Sequence, residues 1–507
     1  MLPALLRSEL DSIATAIVSS NARALRHPRR RLDALCGRLL YGPWTHGPRN
    51  SNLETCVCFR DRPFDESSVR RFARALHERG ATDVAAQRLA SQVHQALRGA
   101  ADVHGYTDMF DQVFWSKTPM HAGPIGARNK KLLAGTWFGM TFVRSGDGPT
   151  LGYALSWHKP ATPLLDAVQA LHDDPVRHRW LCNHIDVHIL DRGTQGTAVL
   201  DQLVRLGVPY LTPERCSTSW ARFRSPSTLR TQQGVAIHVR RDDRVRSTAA
   251  RRRQSRLGTA RRIVFPARPE RGEHDRRAIA YRTSARLSDT QIQHLDRVYK
   301  ARWPNNENAI KALLAVGFGR NLERSKRASP SRGQDTKAQR WRERVARSDQ
   351  AIGSLMNQRA CDVGRAYLKL ERVRERRVRS LRRQERTNAA EQRQVRVAEK
   401  GELLCKHLML LLHNQVQLVL VKSERRSVRA MTLARVRDLM LMRPATASHL
   451  GDTLTLTFDP CSSGADRIDQ AELVRLFAAE QLTVAGARIS MRIRDLSADL
   501  QPMRIAA

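Results

Sequence analysis

Acids are the minority charge in this chain, and three of them stand where carboxylates do chemistry rather than solvate a surface. Asp108 lies inside the strand-like run GYTDMF, and Asp191 directly follows the apolar run IDVHIL. Glu307 sits in VYKARWPNNENAIK, between Asn306 and Asn308 and among Lys300, Arg302 and Lys311. Carboxylates held on two strands and one helix can converge at one sheet edge, where they repel one another unless cations bridge them. An all-oxygen donor set selects hard ions such as Mg²⁺ or Mn²⁺. Two such ions about 3.5–4 Å apart can activate a water or a 3′-hydroxyl and stabilise the leaving oxygen of a phosphodiester. Each acid also has a plainer reading. Asp191 could pair with Arg192, Asp108 could be an incidental strand acid with Asp111 as its rival, and Glu307 could complement a helix dipole.

The composition supplies a partner for that chemistry. The chain has 507 residues, a length that implies two to four domains. Against 49 Asp+Glu it carries 88 Lys+Arg, a formal net charge of +39. Such an excess repels itself unless a polyanion neutralises it, and nucleic acid is the commonest one of matching scale. Most of the cations are arginine, whose fork suits phosphates and guanine edges. A ribosomal or RNA-packaging protein would share this composition. The eight cysteines are scattered. Only Cys56 and Cys58 are close, a weak zinc signal, so reduced cytosolic cysteines are expected. The N-terminus carries acids and no small-residue cleavage site, which argues against a signal peptide. Leu403–Val421 is the most apolar stretch, but Lys406, His407, His413, Asn414 and Gln415 interrupt it. It reads as a buried core helix, and no membrane is implied.

The elements that must position the acids follow from periodicity. Residues 1–100 read mostly as helices. Arg62–Gly80 has a cap at or near Ser67, with Val69, Phe72, Ala73 and Leu76 at helical spacing and Arg70, Arg71 and Arg74 on other faces. That pattern suits the basic helix of a helix-turn-helix, or an ordinary surface helix. Gln87–Gly99 is a further helix. Val103–Trp115 reads as a strand, and Thr136–His158 as two strands joined by a Gly-Asp-Gly-Pro turn. Helix, strand, helix, strand follow at Thr162–Asp174, Ile185–Leu190, Val199–Gly207 and Val208–Leu211. The fold class is therefore α/β. Residues 212–284 hold three strand-like pieces with basic loops, a β-rich insertion. Leu287–Trp303 is helical, with Ser288 as cap and Asp289 in the first turn. Pro304 predicts a break near Trp303 and a new helix beginning there. Residues 321–400 form a charged, Arg-rich helical region, and 401–507 a helical stretch with a small α/β tail carrying two strands.

On these residues the chain resembles the DDE transposases of bacterial insertion sequences, in the group with a β-strand insertion before the last acid. Three segments carry the resemblance: DMFDQVFWSK (Asp108–Lys117), ILDRGTQGTAVLDQLVRLGVPYL (Ile189–Leu211) and YKARWPNNENAIKALLAVGFG (Tyr299–Gly319). The first selects Asp108 over Asp111. The third is similar to a Tyr-Arg-Glu-Lys signature, but with one extra residue between Arg302 and Glu307. The resemblance implies an RNase H-like catalytic core over 101–320, with the β-rich insertion at 212–284. It implies a metal-binding and catalytic triad of Asp108, Asp191 and Glu307 loaded with Mg²⁺ or Mn²⁺. Tyr299, Arg302 and Lys311 would accompany the triad and contact DNA, with Arg192, Arg70 and Arg71 as further DNA-binding candidates.

The expected activity is metal-dependent phosphodiester hydrolysis and strand transfer at the ends of a mobile element. Its partner would be double-stranded DNA, as transposon ends and target, with a dimer in the DNA complex. A bacterial cytoplasmic, nucleoid-associated location goes with that reading. Two alternatives stand beside it: an RNase H-like nuclease that cuts without joining, and a non-catalytic basic packaging protein.

Overall fold

The computed structural model describes residues 35, 66–113, 124–125, 133–158, 164–191, 197–214, 227–230, 236–244, 259–266, 278–285, 287–293, 295–319, 323–328, 332–356, 363–390, 393–398, 400–484 and 487–494. It is a mixed α/β protein with mixed sheets. Two compact units emerge, one of residues 1–112, 137–322 and 400–507, the other of 113–136 and 323–399.

The first unit opens with α1 (Glu66–His77) and α2 (Ala81–Ala96). Gly80, at φ 84°, makes the left-handed turn between them. Ser67 lies inside the first turn of α1 rather than capping it, and α2 begins at Ala81, ahead of the Gln87 start that the sequence predicts. The strands β1 (Val103–Val113), β3 (Leu133–Ser145) and β4 (Leu151–His158) come next, while β2 (Pro124–Ile125) and the first residues of β3 belong to the second unit. They are followed by α3 (Leu164–His172), α4 (Pro175–His184), β5 (Val187–Leu190), α5 (Thr197–Arg205) and β6 (Tyr210–Glu214). In this unit the sheet runs β4-β3-β1-β5-β6 and continues through β10 (Ala278–Thr283), β9 (Thr259–Pro266), β8 (Ala236–Arg244) and β7 (Ser227–Arg230). β5 pairs parallel with both β1 and β6, while β3–β4 and every pairing from β6 to β7 are antiparallel. The stretch expected as an insertion thus extends the same sheet, and it includes a strand, β7, that has no clear sequence signal.

Alternation along β5 explains how the sheet is sandwiched. Val187 and Ile189 join Tyr106, Leu211 and Tyr281 on one face, packed with Ile292 and Leu295. Leu190 joins Val168, Leu200, Leu203 and Tyr210 on the other. The first of these two helical partners is the segment α6 (Asp289–Gln293) and α7 (Leu295–Lys300), continued by α8 (Asn308–Ala315). Ser288 caps it reciprocally: its hydroxyl accepts from the Gln291 amide at 3.2 Å, and its own amide donates to the Gln291 side chain at 2.9 Å.

The second unit is described by itself. Its long helices α9 (Arg332–Met356) and α10 (Val363–Ala390) pack together, and β11 (Glu323–Ala328) pairs antiparallel with β12 (Arg393–Ala398). β2 pairs with the start of β3, Pro124 opposite Ala134.

The chain then returns to the first unit as α11 (Gly401–Leu420), buried nearly all round. Among the described residues it is the one helix long and apolar enough to cross a membrane, and 78% of that span is buried inside the protein. Its polar residues have internal partners. Asn414 extends the β4 edge by accepting from the Gly152 amide at 2.7 Å and donating to its carbonyl at 2.8 Å. Gly401 lets the helix approach α1, since a β-carbon there would lie 2.6 Å from the backbone of Ala73. Two short helices, α12 (Arg426–Arg429) and α13 (Leu433–Met440), lead to a sheet in the order β13-β14-β16-β15 covered by α14 (Gly464–Ala479). Its strands are β13 (Ala445–Leu450), β14 (Thr453–Phe458), β15 (Thr483–Val484) and β16 (Ala487–Ile493), four where the sequence signals two.

Candidate active site

The parallel pairing of β1 and β5 sets Thr107 opposite Leu190. One residue further along each strand stand Asp108 and Asp191, side by side at the carboxyl end of β5, where open α/β sheets gather ligands. Asp108 shares its face of β1 with Tyr106, the face covered by the α6–α8 segment. The Met109 amide donates to the Asp108 carboxylate at 2.8 Å. The Thr212 hydroxyl of β6 donates to the Asp191 carbonyl at 3.2 Å. The side chain of Asp111 lies outside the described residues.

Glu307 reaches the two aspartates by a local change of helix type. Trp303–Glu307 is a π-helical turn, closed by the Asn308 amide on the Trp303 carbonyl. A π-turn places one more residue in each hydrogen-bonded ring than an α-turn does. The five-residue step from Arg302 to Glu307 is taken by this turn, so no break occurs at Trp303 and the helix carries on as α8. Pro304, which has no amide to donate, falls inside this turn. Asn305 pins the turn to the sheet. It donates to the Tyr106 hydroxyl at 3.2 Å and accepts from Arg144 at 2.5 Å and Thr150 at 3.2 Å. The cost falls on Asn306, which is fully buried with neither side-chain polar atom partnered among the described residues.

Arg302 lies at the centre of the three acids. Its guanidinium is 3.0 Å from Asp108, 3.5 Å from Asp191 and 2.7 Å from Glu307. The side chain is 12% exposed, so this cation serves the acids and not the surface. Burial pushes the Asp108 carboxyl up to about 6, and the Asp191 and Glu307 carboxylates add to that. Arg302 and the Met109 amide pull the other way. Burial works against the charge on Arg302, but the surrounding acids, Asp191 first, outweigh it and raise its pKa. Tyr299 backs the cluster, its ring 5.2 Å from that of Tyr281 and 6.0 Å from the Arg302 guanidinium. Lys311 is exposed and sits 4.6 Å over the ring of Trp303, itself 55% exposed.

The structure therefore brings Asp108, Asp191, Glu307, Arg302 and Tyr299 together, with Lys311 one turn beyond. Arg70 and Arg71 lie on α1, half-buried and exposed respectively. Arg192 and the Cys56–Cys58 pair lie outside the described residues. In the second unit, α10 exposes Arg372, Arg376, Arg379, Arg382 and Arg386 to solvent. Sequence reasoning missed Asn305, whose only signal was its place in a cluster of asparagines beside the third acid. Compared with protein-family models and with curated proteins, the sequence matches none.

Proposed function

We propose that the chain is a divalent-metal-dependent DNA transposase with an RNase H-like catalytic core. The observation that carries the reading is the gathering of Asp108, Asp191 and Glu307 around one guanidinium in a chain of net charge +39. The order β4-β3-β1-β5-β6 supports the core assignment, with the aspartates on neighbouring parallel strands and the glutamate on a helix across one face.

The donor set fits Mg²⁺ or Mn²⁺. It is all carboxylate oxygen, and it already converges on a cationic group. Asp108, Asp191 and Glu307 would hold the ions, which when bound supply an activated water or 3′-hydroxyl and stabilise the leaving oxygen. The protein's own part is positional. The β1–β5 register aligns two ligands, the π-turn delivers the third, and Arg302 contacts all three while offsetting one of their charges. Because the acids serve as ligands rather than nucleophiles, no covalent protein–DNA link forms. The basic regions 1–100 and 321–400 would bind the element's ends, two ends drawing two chains together.

The test is Mg²⁺-dependent cleavage of the DNA flanking the gene, followed by joining of a pre-cleaved end to a target plasmid. Asp191→Ala and Glu307→Ala should abolish both steps. Wild-type rates in either variant would remove the acids from the active site. Cutting without joining would favour a nuclease that shares the triad.

A further inference from the structure

On the face of the sheet opposite Glu307, a second set of metal-ligating side chains comes together that the transposase reading does not use. His172 ends α3, while His178 and Cys182 stand one turn apart on α4. The Nδ1 atoms of the two histidines are 2.9 Å apart, and the Cys182 Sγ is 3.7 Å from the His178 Nδ1. All three ligand atoms lie within 4.8 Å of one another. Tetrahedral zinc, with Zn–N near 2.0–2.1 Å and Zn–S near 2.3 Å, requires N···N and N···S edges of roughly 3.3 and 3.6 Å. Opening the histidine pair by a few tenths of an ångström meets both, and the third edge, His172 to Cys182, lies within 4.8 Å and must close to about 3.6 Å as the metal binds. We propose that His172, His178 and Cys182 form a zinc site.

The chemistry of the donors narrows the metal. Two imidazoles and a thiolate are too soft for Mg²⁺ or Ca²⁺ and match Zn²⁺, with Co²⁺ as its spectroscopic stand-in. Burial holds His172 down at about 4, with His178 acting in the same direction, so its ring is neutral at pH 7 and has no proton to lose. Burial pushes the Cys182 thiol up, so binding releases the thiol proton as the S–Zn bond forms. The His172 Nε2 is buried without a hydrogen-bond partner among the described residues. That ring is therefore fixed by packing and by its His178 contact alone. The Cys182 thiol points to the Leu206 carbonyl at 3.5 Å, at the end of α5. An ion here would tie the end of α3 to α4, and release of the thiol proton would leave the Leu206 carbonyl without that donor. Three protein ligands leave the fourth position to an oxygen donor, as in zinc sites that exchange a water.

The site also touches the sheet that carries the acids. His172 acts electrostatically on His188 of β5, whose Nε2 is 2.6 Å from the Thr107 hydroxyl, the residue before Asp108. A cation among the three ligands would lie behind the strands that present Asp108 and Asp191, on the other face.

The experiment uses the full chain, stripped with chelator and reloaded with Zn²⁺ or Co²⁺. Co²⁺ should give one thiolate-to-metal charge-transfer band, lost in Cys182→Ala and His178→Ala. With Zn²⁺, alkylation of Cys182, followed by peptide mass mapping, should slow by the factor 1 + [Zn²⁺]/Kd. The mapping needs no variant, so it remains decisive if a substitution prevents folding. Equal alkylation of Cys182 with and without zinc would overturn the site, as would a charge-transfer band undiminished in both variants. Neither readout depends on cleavage of DNA, so the site stands or falls apart from the transposase reading.

Discussion

Replacing Asp108 with Asn should stabilise the metal-free protein, and by an amount that grows with pH. The Asp108 carboxyl is 22% exposed and titrates at about 6 in the folded protein, against 3.8 as the ordinary value. A carboxyl whose folded pKa is raised favours folding while protonated, and that advantage is lost as pH rises through the folded pKa. Ionising it above that range costs the folded state about 3 kcal/mol, from 1.36 kcal/mol per pKa unit, while at pH 5 the cost is about 1.6 kcal/mol. The stability difference between Asp108→Asn and wild type should therefore widen by about 1.4 kcal/mol between pH 5 and pH 8. Urea unfolding followed by tryptophan fluorescence, with chelator present, measures it. Adding Mg²⁺ should reverse the order at pH 8 by stabilising wild type alone. A difference that stays flat with pH, or a variant less stable at pH 8, would refute the assignment of a costly buried carboxylate at this position.

Three further outcomes follow from other parts of the structure. Lys406 and Glu402 form a buried ion pair at 2.8 Å, the ammonium 4.9 and 4.7 Å over the rings of Phe138 and Phe318. Lys406→Met alone should cost about 3–5 kcal/mol, and adding Glu402→Gln should recover most of it in a urea double-mutant cycle. Replacing Arg372, Arg376 and Arg382 with Ala should flatten the salt dependence of DNA binding, lowering the slope of log K against log[salt] by about 1 for each phosphate no longer neutralised. Deleting Asn306 should convert the π-turn to α-helix, raise stability by about 1–3 kcal/mol through removal of a buried unpartnered amide, and leave cleavage within a few-fold of wild type. A collapse of cleavage with unchanged folding would show that the longer turn is needed to aim Glu307.

Much of the arrangement around the acids was legible in the sequence because each local signal agreed with the tertiary demand. IDVHIL is apolar at every position that the sheet buries except His188, which Thr107 satisfies. The Ser288 cap reads directly from its spacing to Gln291. What could not be read came from interactions distant in sequence. ERSKRA has no apolar alternation and RQVRVA only Val395 and Val397, too short a pattern to mark a strand, and they are strands because each supplies the other's backbone partners. The π-turn has no periodic signature, since five residues are too few to define a period and Pro304 signals a break. Its stability rests on Tyr106, Arg144 and Thr150 gripping Asn305 from far along the chain. The histidine–cysteine cluster was present as a spacing of six and then four residues, but it needed the turn at Asp174 to fold one ligand back onto the others.

The π-turn also says which quantity the site holds constant. The five-residue step from Arg302 to Glu307 is taken by one π-turn, and the chain is helical on both sides of it. The segment works as a length buffer between two fixed phases. A motif search that scores residue spacing will penalise such a chain, while one that scores angular position around the helix will not. Removal of one residue should therefore be tolerated between Arg302 and Glu307 and nowhere else along α7 and α8.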